Sequence, residues 1–401
     1  MCAVRPTELR GRFNAATADL DPPFAIIDLD AFDANASALV ARAAGKPLRV
    51  ASKSVRCRDL LRRVLDRPGW HGIMAYTVPE AIWLVRSGTC DDILVAYPSA
   101  DRGGITEVAG DAALAAAITL MVDSAEQLDF IDRVVAPSQR EALRLCIDLD
   151  ASWKPAGMHI GVRRSPVHTP DQAADLAQEI VKRPGFRLVG VMSYEAQIAG
   201  LGDAPVGHPM RGVAIRAIQR RSMPELVARR TAVVSAVRAL ADLEFVNGGG
   251  TGSVAATAAD TSVTEVTAGS GLYGPTLFDG YRAWRPEPSA YFALSVVRKP
   301  NPQIATVLGG GWVASGEANP NRLPSPALPT GLKLIPTEGT GEVQTPVTGP
   351  AAATLRIGDR VWFRHAKAGE LCEHVDDLKL ISGDRVTGSA PTYRGEGRTW
   401  L

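Results

Sequence analysis

The sequence predicts an α/β chain, a (β/α)8 barrel followed by an all-β domain, and three observations carry that prediction. From Phe24 to about Pro275, short aliphatic or β-branched runs alternate with longer amphipathic segments, the pattern of parallel strands covered by helices. Eight or so such units fall within roughly 250 residues, the usual size of a closed barrel. After about Gly280 helical periodicity stops, and short strands separated by Gly/Pro-rich turns take over. A doubly wound open sheet is the main rival for the first part. The barrel is preferred because the unit count is near eight and the glycine-rich loops come late in the series.

The strand candidates of the barrel are Leu48–Ser52, Gly72–Tyr76, Ile93–Ala96, Ile118–Val122, Arg144–Leu149, His159–Val162, Leu188–Met192, Glu244–Val246 and Val263–Val266. Between them, a helix with Pro79 in its first turn runs to Arg86 and stops at Gly88, Ser124–Val134 opens with Ser124 as N-cap, and Asp171–Val181 ends before Pro184. In the β-domain the candidates are Tyr291–Arg298, Ile304–Leu308, Leu332–Pro336, Gly341–Thr345, Arg360–Arg364 and Leu378–Ile381, with the proline-rich stretch Asn319–Thr330 as a surface loop. The expected domains are 22–278 for the barrel and 281–401, together with 1–20, for the β-domain.

Length and composition bound the function. The 401 residues and 42.5 kDa allow two to three domains, or one barrel with an appendage. A formal charge of +1 argues against nucleic-acid binding or a polybasic membrane anchor. No stretch approaches the ~20 apolar residues that cross a bilayer, and Met1–Pro6 lacks the apolar core of a signal peptide. The five cysteines (Cys2, Cys57, Cys90, Cys146 and Cys372) are scattered, odd in number and form no CxxC pair. That usage fits a reducing, cytoplasmic compartment.

Lysine is scarce: only eight of the 44 basic residues are lysines, and one of them, Lys53, closes the apolar run Leu48–Ser52 among small residues. It is read either as a solvated strand-end residue or as a Schiff-base lysine, desolvated at the mouth of a barrel and holding pyridoxal phosphate. Gly248-Gly249-Gly250-Thr251-Gly252-Ser253 directly follows a strand candidate, and Gly269-Ser270-Gly271 follows the next. Each is either a tight turn or a cradle of N–H groups and hydroxyls for phosphate oxygens, which late barrel loops commonly hold. No GxxxxGK[ST] motif is present, so a P-loop nucleotide site is unsupported. The densest cluster of reactive side chains after residue 280 is Arg364-His365-Ala366-Lys367-Ala368-Gly369-Glu370-Leu371-Cys372-Glu373-His374.

The order of these motifs resembles the alanine racemase fold of pyridoxal phosphate enzymes, and within it the D-threonine aldolase and D-serine dehydratase branch. The likeness rests on Ile26–Asp30, Ala51-Ser52-Lys53-Ser54, Gly72–Ala81, Asp92–Ala96, Val191–Glu195, Val246–Ser253 and Glu265–Tyr273, in that succession. The resemblance implies that Lys53 forms the Schiff base with pyridoxal 5'-phosphate and that Tyr194 lies near the cofactor ring. It also places the phosphate at Gly249, Gly250, Thr251, Gly252, Gly269, Ser270 and Gly271. His159 stands where the family carries an arginine, either as a hydrogen-bonding or titrating neighbour of the cofactor or as a structural histidine.

In the same branch, a histidine and a Cys or Asp two residues later hold a divalent metal. His365 matches the histidine, but Lys367 occupies the second position, which leaves two readings. Either Cys372 joins His365 around zinc or manganese, or the Lys367 charge replaces the metal. The implied function is a lyase acting on D-configured β-hydroxy amino acids, by retro-aldol cleavage or by dehydration and deamination, with Lys53, His365 and Lys367 as catalytic residues. A racemase and a non-catalytic pyridoxal phosphate carrier are the alternatives. A metal-dependent hydrolase lacks His/Asp ligands on the early strands. The family further implies a homodimer in which each β-domain completes the partner's site.

Overall fold

The computed structural model describes residues 5–401; Cys2 and the first residues of the segment read for a leader lie outside the described residues. The chain packs as two compact units. One comprises the described residues up to Ser37, Ser54–Leu60 and Ser270–Thr399; the other comprises Ala38–Lys53, Leu61–Gly269 and Trp400–Leu401.

The first strand, β1 (Phe24–Asp28), is not a barrel strand, although it lies within the expected barrel span 22–278. It pairs antiparallel with the strand Ala290–Asn301 and parallel with Asp377–Ser382. All five of its residues are buried. A run buried on both faces reads alike in either kind of sheet, so its partners are not legible locally.

The barrel follows in chain order: β2 (Leu48–Ala51), β3 (Trp70–Ala75), β4 (Ile93–Val95), β5 (Ile118–Val122), β6 (Leu143–Asp148), β7 (Phe186–Ser193), β8 (Phe245–Gly248) and β9 (Glu265–Ala268). All pairs are parallel, and β9 closes onto β2 with Leu48 opposite Val266. Eight of the nine expected strands are therefore present. His159–Val162 is not among them, being a loop that touches Trp153 through one isolated bridge at Ile160. Leu94, Met121, Cys146, Val189, Met192 and Phe245 fill the barrel interior. Because side chains alternate along a strand, the next inward positions toward the C-terminal ends are Asp123 after Met121, Asp148 after Cys146 and Tyr194 after Met192.

The helices begin where the sequence places their signals. Thr77 caps Val78–Arg86, its hydroxyl accepting the Glu80 N–H at 3.2 Å, and Thr169 with Gln172 forms a capping box on Pro170–Lys182. Ser124 stands at the N-cap of Ala125–Val134 but makes no side-chain cap bond. Several helices carry no such signal in the sequence analysis, among them the 30-residue Pro209–Arg238. Its buried face mixes Gly212, Ser222 and Arg230 with Ile215, Leu226, Val233, Val234 and Val237, and Pro224 interrupts it, so no continuous apolar stripe marks it.

The remaining strands are β10 (Ala290–Asn301), β11 (Ile304–Leu308), β12 (Ser325–Leu328), β13 (Lys333–Leu334), β14 (Gln344–Thr348), β15 (Arg360–Arg364), β16 (Asp377–Ser382) and β17 (Arg385–Pro391). They form a 9-stranded sheet with β1, in the order β13-β14-β11-β10-β1-β16-β17, with β15 on β10 and β12 on β15. Phe13, Phe24, Ile26, Tyr291, Ala293, Leu328, Trp362 and Ile381 form its core. β12 lies inside the expected loop Asn319–Thr330; as an edge strand it tolerates Pro326. Among the described residues, no helix is long and apolar enough to cross a membrane.

Candidate active site

Lys53 lies two residues beyond Ala51, the last residue of β2, in a 3-10 turn over Ser52–Ser54. The turn is pinned by buried Ser52, whose hydroxyl donates to the Met74 carbonyl at 3.1 Å. Arg49, two residues before Ala51, points into the barrel over the Phe245 ring, so the alternation directs Ala51 inward as well, and Lys53 follows in the turn just past the strand. The half-buried Lys53 donates from Nζ to the Tyr97 hydroxyl at 3.1 Å. The Arg164 guanidinium stands 5.4 Å from the ring centroids of both Tyr97 and Tyr194, and no ion pair engages it among the described residues. The barrel mouth thus gathers an amine, two phenols and a guanidinium.

His159 does not join them. Its Nε2 lies 3.1 Å from the Val162 carbonyl, within its own loop. The cation facing the tyrosines comes five residues later, at Arg164, and neither Arg164 nor Tyr97 was singled out in the sequence. Their only sequence signal is their place: Tyr97 two residues beyond β4, Arg164 in the long connection after β6.

Two carboxyls complete this layer. Asp148, 7% exposed, ends β6, and Asp123 follows β5 on the neighbouring strand. Burial, then the charge of Asp123, lifts the Asp148 carboxyl to about 7, with Arg164 pulling it down and Asp150 adding to the rise. Burial also raises Asp123, against a hydrogen bond from Gln127. Near neutral pH this pair holds a proton that isolated carboxylates would release.

The glycine loop after β8 is drawn tight from behind. Gly249 has φ +89°, and a Cβ there would come within 2.8 Å of Val266; one on Gly250 would lie 3.0 Å from the Tyr194 ring. Gly249 N–H donates to Glu195 Oε2 at 3.0 Å, and Gly250 N–H to Ser253 Oγ at 3.1 Å. Both amides are therefore committed within the protein; the Gly252 N–H has no acceptor among the described residues. The Gly269 N–H donates to the Thr251 hydroxyl at 3.3 Å, joining the two glycine segments. Glu195 is the hub behind the loop: fully buried, it also accepts from Ser253 and Thr257 and pairs with Arg230 at 3.3 Å. Arg230 in turn holds buried Asp260 at 2.8 Å.

At the opposite ends of the strands a separate ion cluster stiffens the barrel. Arg49 pairs with Glu265 at 2.8 Å and with Asp92 at 2.9 Å, and His71 lies 3.0 Å from Glu265. Hydrogen bonding to Asp92 and Glu265 raises His71 to about 9. Burial opposes ionisation of Glu265, but His71 and Arg49 outweigh it and hold the carboxyl at about 2.

In the other unit, Ser270 and Gly271 open a 3-10 turn, Ser270–Leu272. The constellation His365–His374 follows β15. His365 is buried, and neither ring nitrogen reaches a partner at hydrogen-bond geometry among the described residues. Burial, then Arg364, pushes it down to about 3, with only the Ala290 backbone pulling the other way. Lys367 Nζ donates to Ser315 Oγ at 3.0 Å. Cys372 is fully buried; Sγ donates to the Val55 carbonyl at 3.3 Å, and burial pushes its thiol up to about 12. A thiol so held is a poor metal ligand. Among the described residues no group of three or more His, Cys, Asp or Glu is placed to hold a metal ion, so the expected zinc or manganese does not fit this donor set.

A closed parallel barrel with a lysine at the mouth of its first strand, together with a mostly antiparallel sheet, defines an alanine racemase-like fold. The chain belongs to the family described as alanine racemase, N-terminal domain, whose model matches residues 27–276. It is 26% identical over 312 residues to a D-threonine aldolase of Arthrobacter sp, covering 76% of this chain and 75% of that one. The crystal structure of D-threonine aldolase from Filomicrobium marinum is similar with a TM-score of 0.78 at 19% identity, covering 94% of this chain and 96% of that one. D-threo-3-hydroxyaspartate dehydratase from Delftia sp. HT23 is similar with a TM-score of 0.71 at 19% identity, covering 93% and 97%.

Proposed function

We propose that this chain is a pyridoxal phosphate-dependent lyase acting on D-configured β-hydroxy amino acids, with Lys53 as the cofactor's point of attachment. The observation that carries the reading is Lys53 itself: a lysine just past the end of β2, hydrogen-bonded to Tyr97, whose ring also faces the Arg164 guanidinium. The similarity to a D-threonine aldolase and to a D-threo-3-hydroxyaspartate dehydratase supports the substrate class. The residues present fit the cofactor. Lys53 offers the amine, the Tyr194 face a surface for the ring, and the tight glycine loop a place for phosphate at the Thr251 hydroxyl and the Gly252 N–H, with Gly249, Gly250 and Gly269 setting the backbone course. Ser270 and Gly271 belong to the same proposed phosphate set.

When bound, pyridoxal phosphate supplies an electron sink for the bonding pair released at Cα. The chain's own groups do the rest. Tyr97 orients Lys53 Nζ, which in elimination takes the Cα proton. Arg164 offers its charge to an anionic oxygen, and Asp148 keeps a proton available near neutral pH. His159, bonded to Val162, fixes the loop that carries Arg164. In the proposed homodimer His365 and Lys367 serve the β-hydroxyl group at the partner's site, as a neutral ring and a cation. The proposed assembly is a homodimer with shared sites, divided functionally into barrel (22–278) and β-domain (281–401, with 1–20), in the cytoplasm.

Incubation with D-threonine and D-threo-3-hydroxyaspartate tests the reading. Glycine and acetaldehyde from D-threonine mark aldol cleavage; an oxo acid with ammonia marks elimination. Recovery of only unchanged or racemised amino acid would overturn the lyase assignment.

A further inference from the structure

We propose that two adjacent arginines on the helix Pro209–Arg238 position the two halves of the candidate site separately: Arg230 sets the glycine loop after β8, and Arg229 sets the connection that carries Arg164. The inference rests on the reading of Lys53 and the glycine loop as the cofactor's seat.

Successive residues of a helix point about 100° apart, so neighbours can serve different loops. Arg230, fully buried, divides its guanidinium nitrogens among Ser193 Oγ at 2.8 Å, Asp260 Oδ2 at 2.8 Å and Glu195 Oε2 at 3.3 Å. Glu195 carries the order one step further. Its Oε2 accepts the Gly249 N–H at 3.0 Å, and its Oε1 accepts the Ser253 hydroxyl at 3.1 Å. The Ser253 oxygen in turn accepts the Gly250 N–H at 3.1 Å. Consecutive loop amides are thus drawn back toward one carboxylate, and Arg230 holds that carboxylate in place.

Arg229, nearly as buried, faces another way. Its Nη1 donates to the Asp150 carbonyl at 2.7 Å and its Nη2 to the Ser152 carbonyl at 2.9 Å, at the start of the connection from β6 to the helix Pro170–Lys182. Nη1 also donates to the His168 carbonyl at 3.4 Å, at the far end of that connection. Glu225, one turn earlier on the same helix, steadies the guanidinium by accepting from Nε at 2.7 Å and Nη2 at 3.2 Å. Both ends of the connection are therefore gathered on one planar fork, a geometry that an ammonium does not reproduce. Arg164 lies between those ends and faces the Tyr97 and Tyr194 rings. Because no ion pair engages it among the described residues, its place depends on the course of the connection that Arg229 holds. Loosening the Arg230 arm should cost cofactor affinity, and loosening the Arg229 arm should cost the handling of an anionic substrate.

The test uses the full chain with Glu195→Gln for the first arm and Arg229→Gln for the second. Ser253→Ala and Glu225→Gln are milder changes to the same arms, and they decide the matter if either stronger variant fails to fold. Three quantities are measured: the dissociation constant for pyridoxal phosphate, KM and kcat for D-threo-3-hydroxyaspartate at saturating cofactor, and hydrogen exchange of the cofactor-free chain by mass spectrometry. Glu195→Gln should weaken cofactor binding roughly tenfold and speed exchange over residues 248–253, with residues 150–168 exchanging as in wild type. Arg229→Gln should speed exchange over 150–168 and raise KM roughly fivefold or more, leaving the cofactor dissociation constant within about twofold of wild type. The milder variants should show the same division at smaller size. Faster exchange over both loops in either arm, or cofactor affinity and KM falling away together in both, would overturn the proposal, because the helix would then merely support the fold. Four variants that all match wild type would overturn it equally. A wild-type chain that binds no pyridoxal phosphate would instead count against the cofactor reading, and the exchange measurements, made without cofactor, would still decide the division between the two arginines.

Discussion

Replacing Asp148 by Asn should stabilise the protein above neutral pH and leave it unchanged in acid. Burial and the charge of Asp123 raise the Asp148 carboxyl from 3.8 to about 7. A raised carboxyl means that the folded chain binds its proton more tightly than the unfolded chain. Its contribution is therefore neutral below about pH 4 and increasingly unfavourable as pH climbs to 7, where it levels off. That interval of about three pH steps, at ~1.4 kcal/mol each, sets an upper bound of ~4 kcal/mol at pH 8. Asparagine keeps the shape and carries no charge, so the variant should gain ~2–4 kcal/mol over wild type at pH 8 and almost nothing at pH 4. Urea titrations at half-unit pH intervals measure this. The penalty should shrink in an Asp123→Asn background, where its second cause is removed. A difference independent of pH, or a variant less stable than wild type at pH 8, would refute the reasoning.

Three further outcomes are expected. Arg230→Met strands Glu195 and Asp260, both fully buried, and should cost ~3–5 kcal/mol in a denaturant titration; a loss below ~1 kcal/mol would show the cluster to be compensated elsewhere. Gly249→Ala must adopt φ +89° against Val266 and should lower stability by about 1–3 kcal/mol, together with cofactor affinity; an unchanged melting temperature contradicts it. His71, raised to about 9 by Asp92 and Glu265, stabilises the fold below about pH 6.5 and loses that contribution as pH rises through 9. The melting-temperature gap between wild type and His71→Gln should close across that range, and a constant gap would contradict the assignment.

What was legible in the sequence follows from what is local. The barrel strands announce themselves because each is a short aliphatic run bounded by small or polar residues, and Lys53 stands out because lysine is rare and ends such a run. Pairing is not local: nothing in Phe24–Asp28 says that its neighbours are β10 and β16 rather than β2. Arg164 lies in a loop without periodicity, whereas His159 stands at the family's arginine position but spends its ring on Val162. Glu195 was noticed only as the end of a strand motif, since its role as the hub behind the glycine loop depends on Arg230, 35 residues away. The Lys367 departure is visible in the sequence; that Glu370, Glu373 and Cys372 are already engaged is visible only in three dimensions.

Attachment of the cofactor to Lys53 can be measured directly. The purified protein is incubated with pyridoxal phosphate, reduced with borohydride and digested, and the modified peptide is sequenced by mass spectrometry. A single pyridoxyl adduct on Lys53, absent from Lys53→Ala, is the expected result. An adduct on another lysine, or an unmodified Lys53 in a protein that still turns over a D-amino acid, would contradict it.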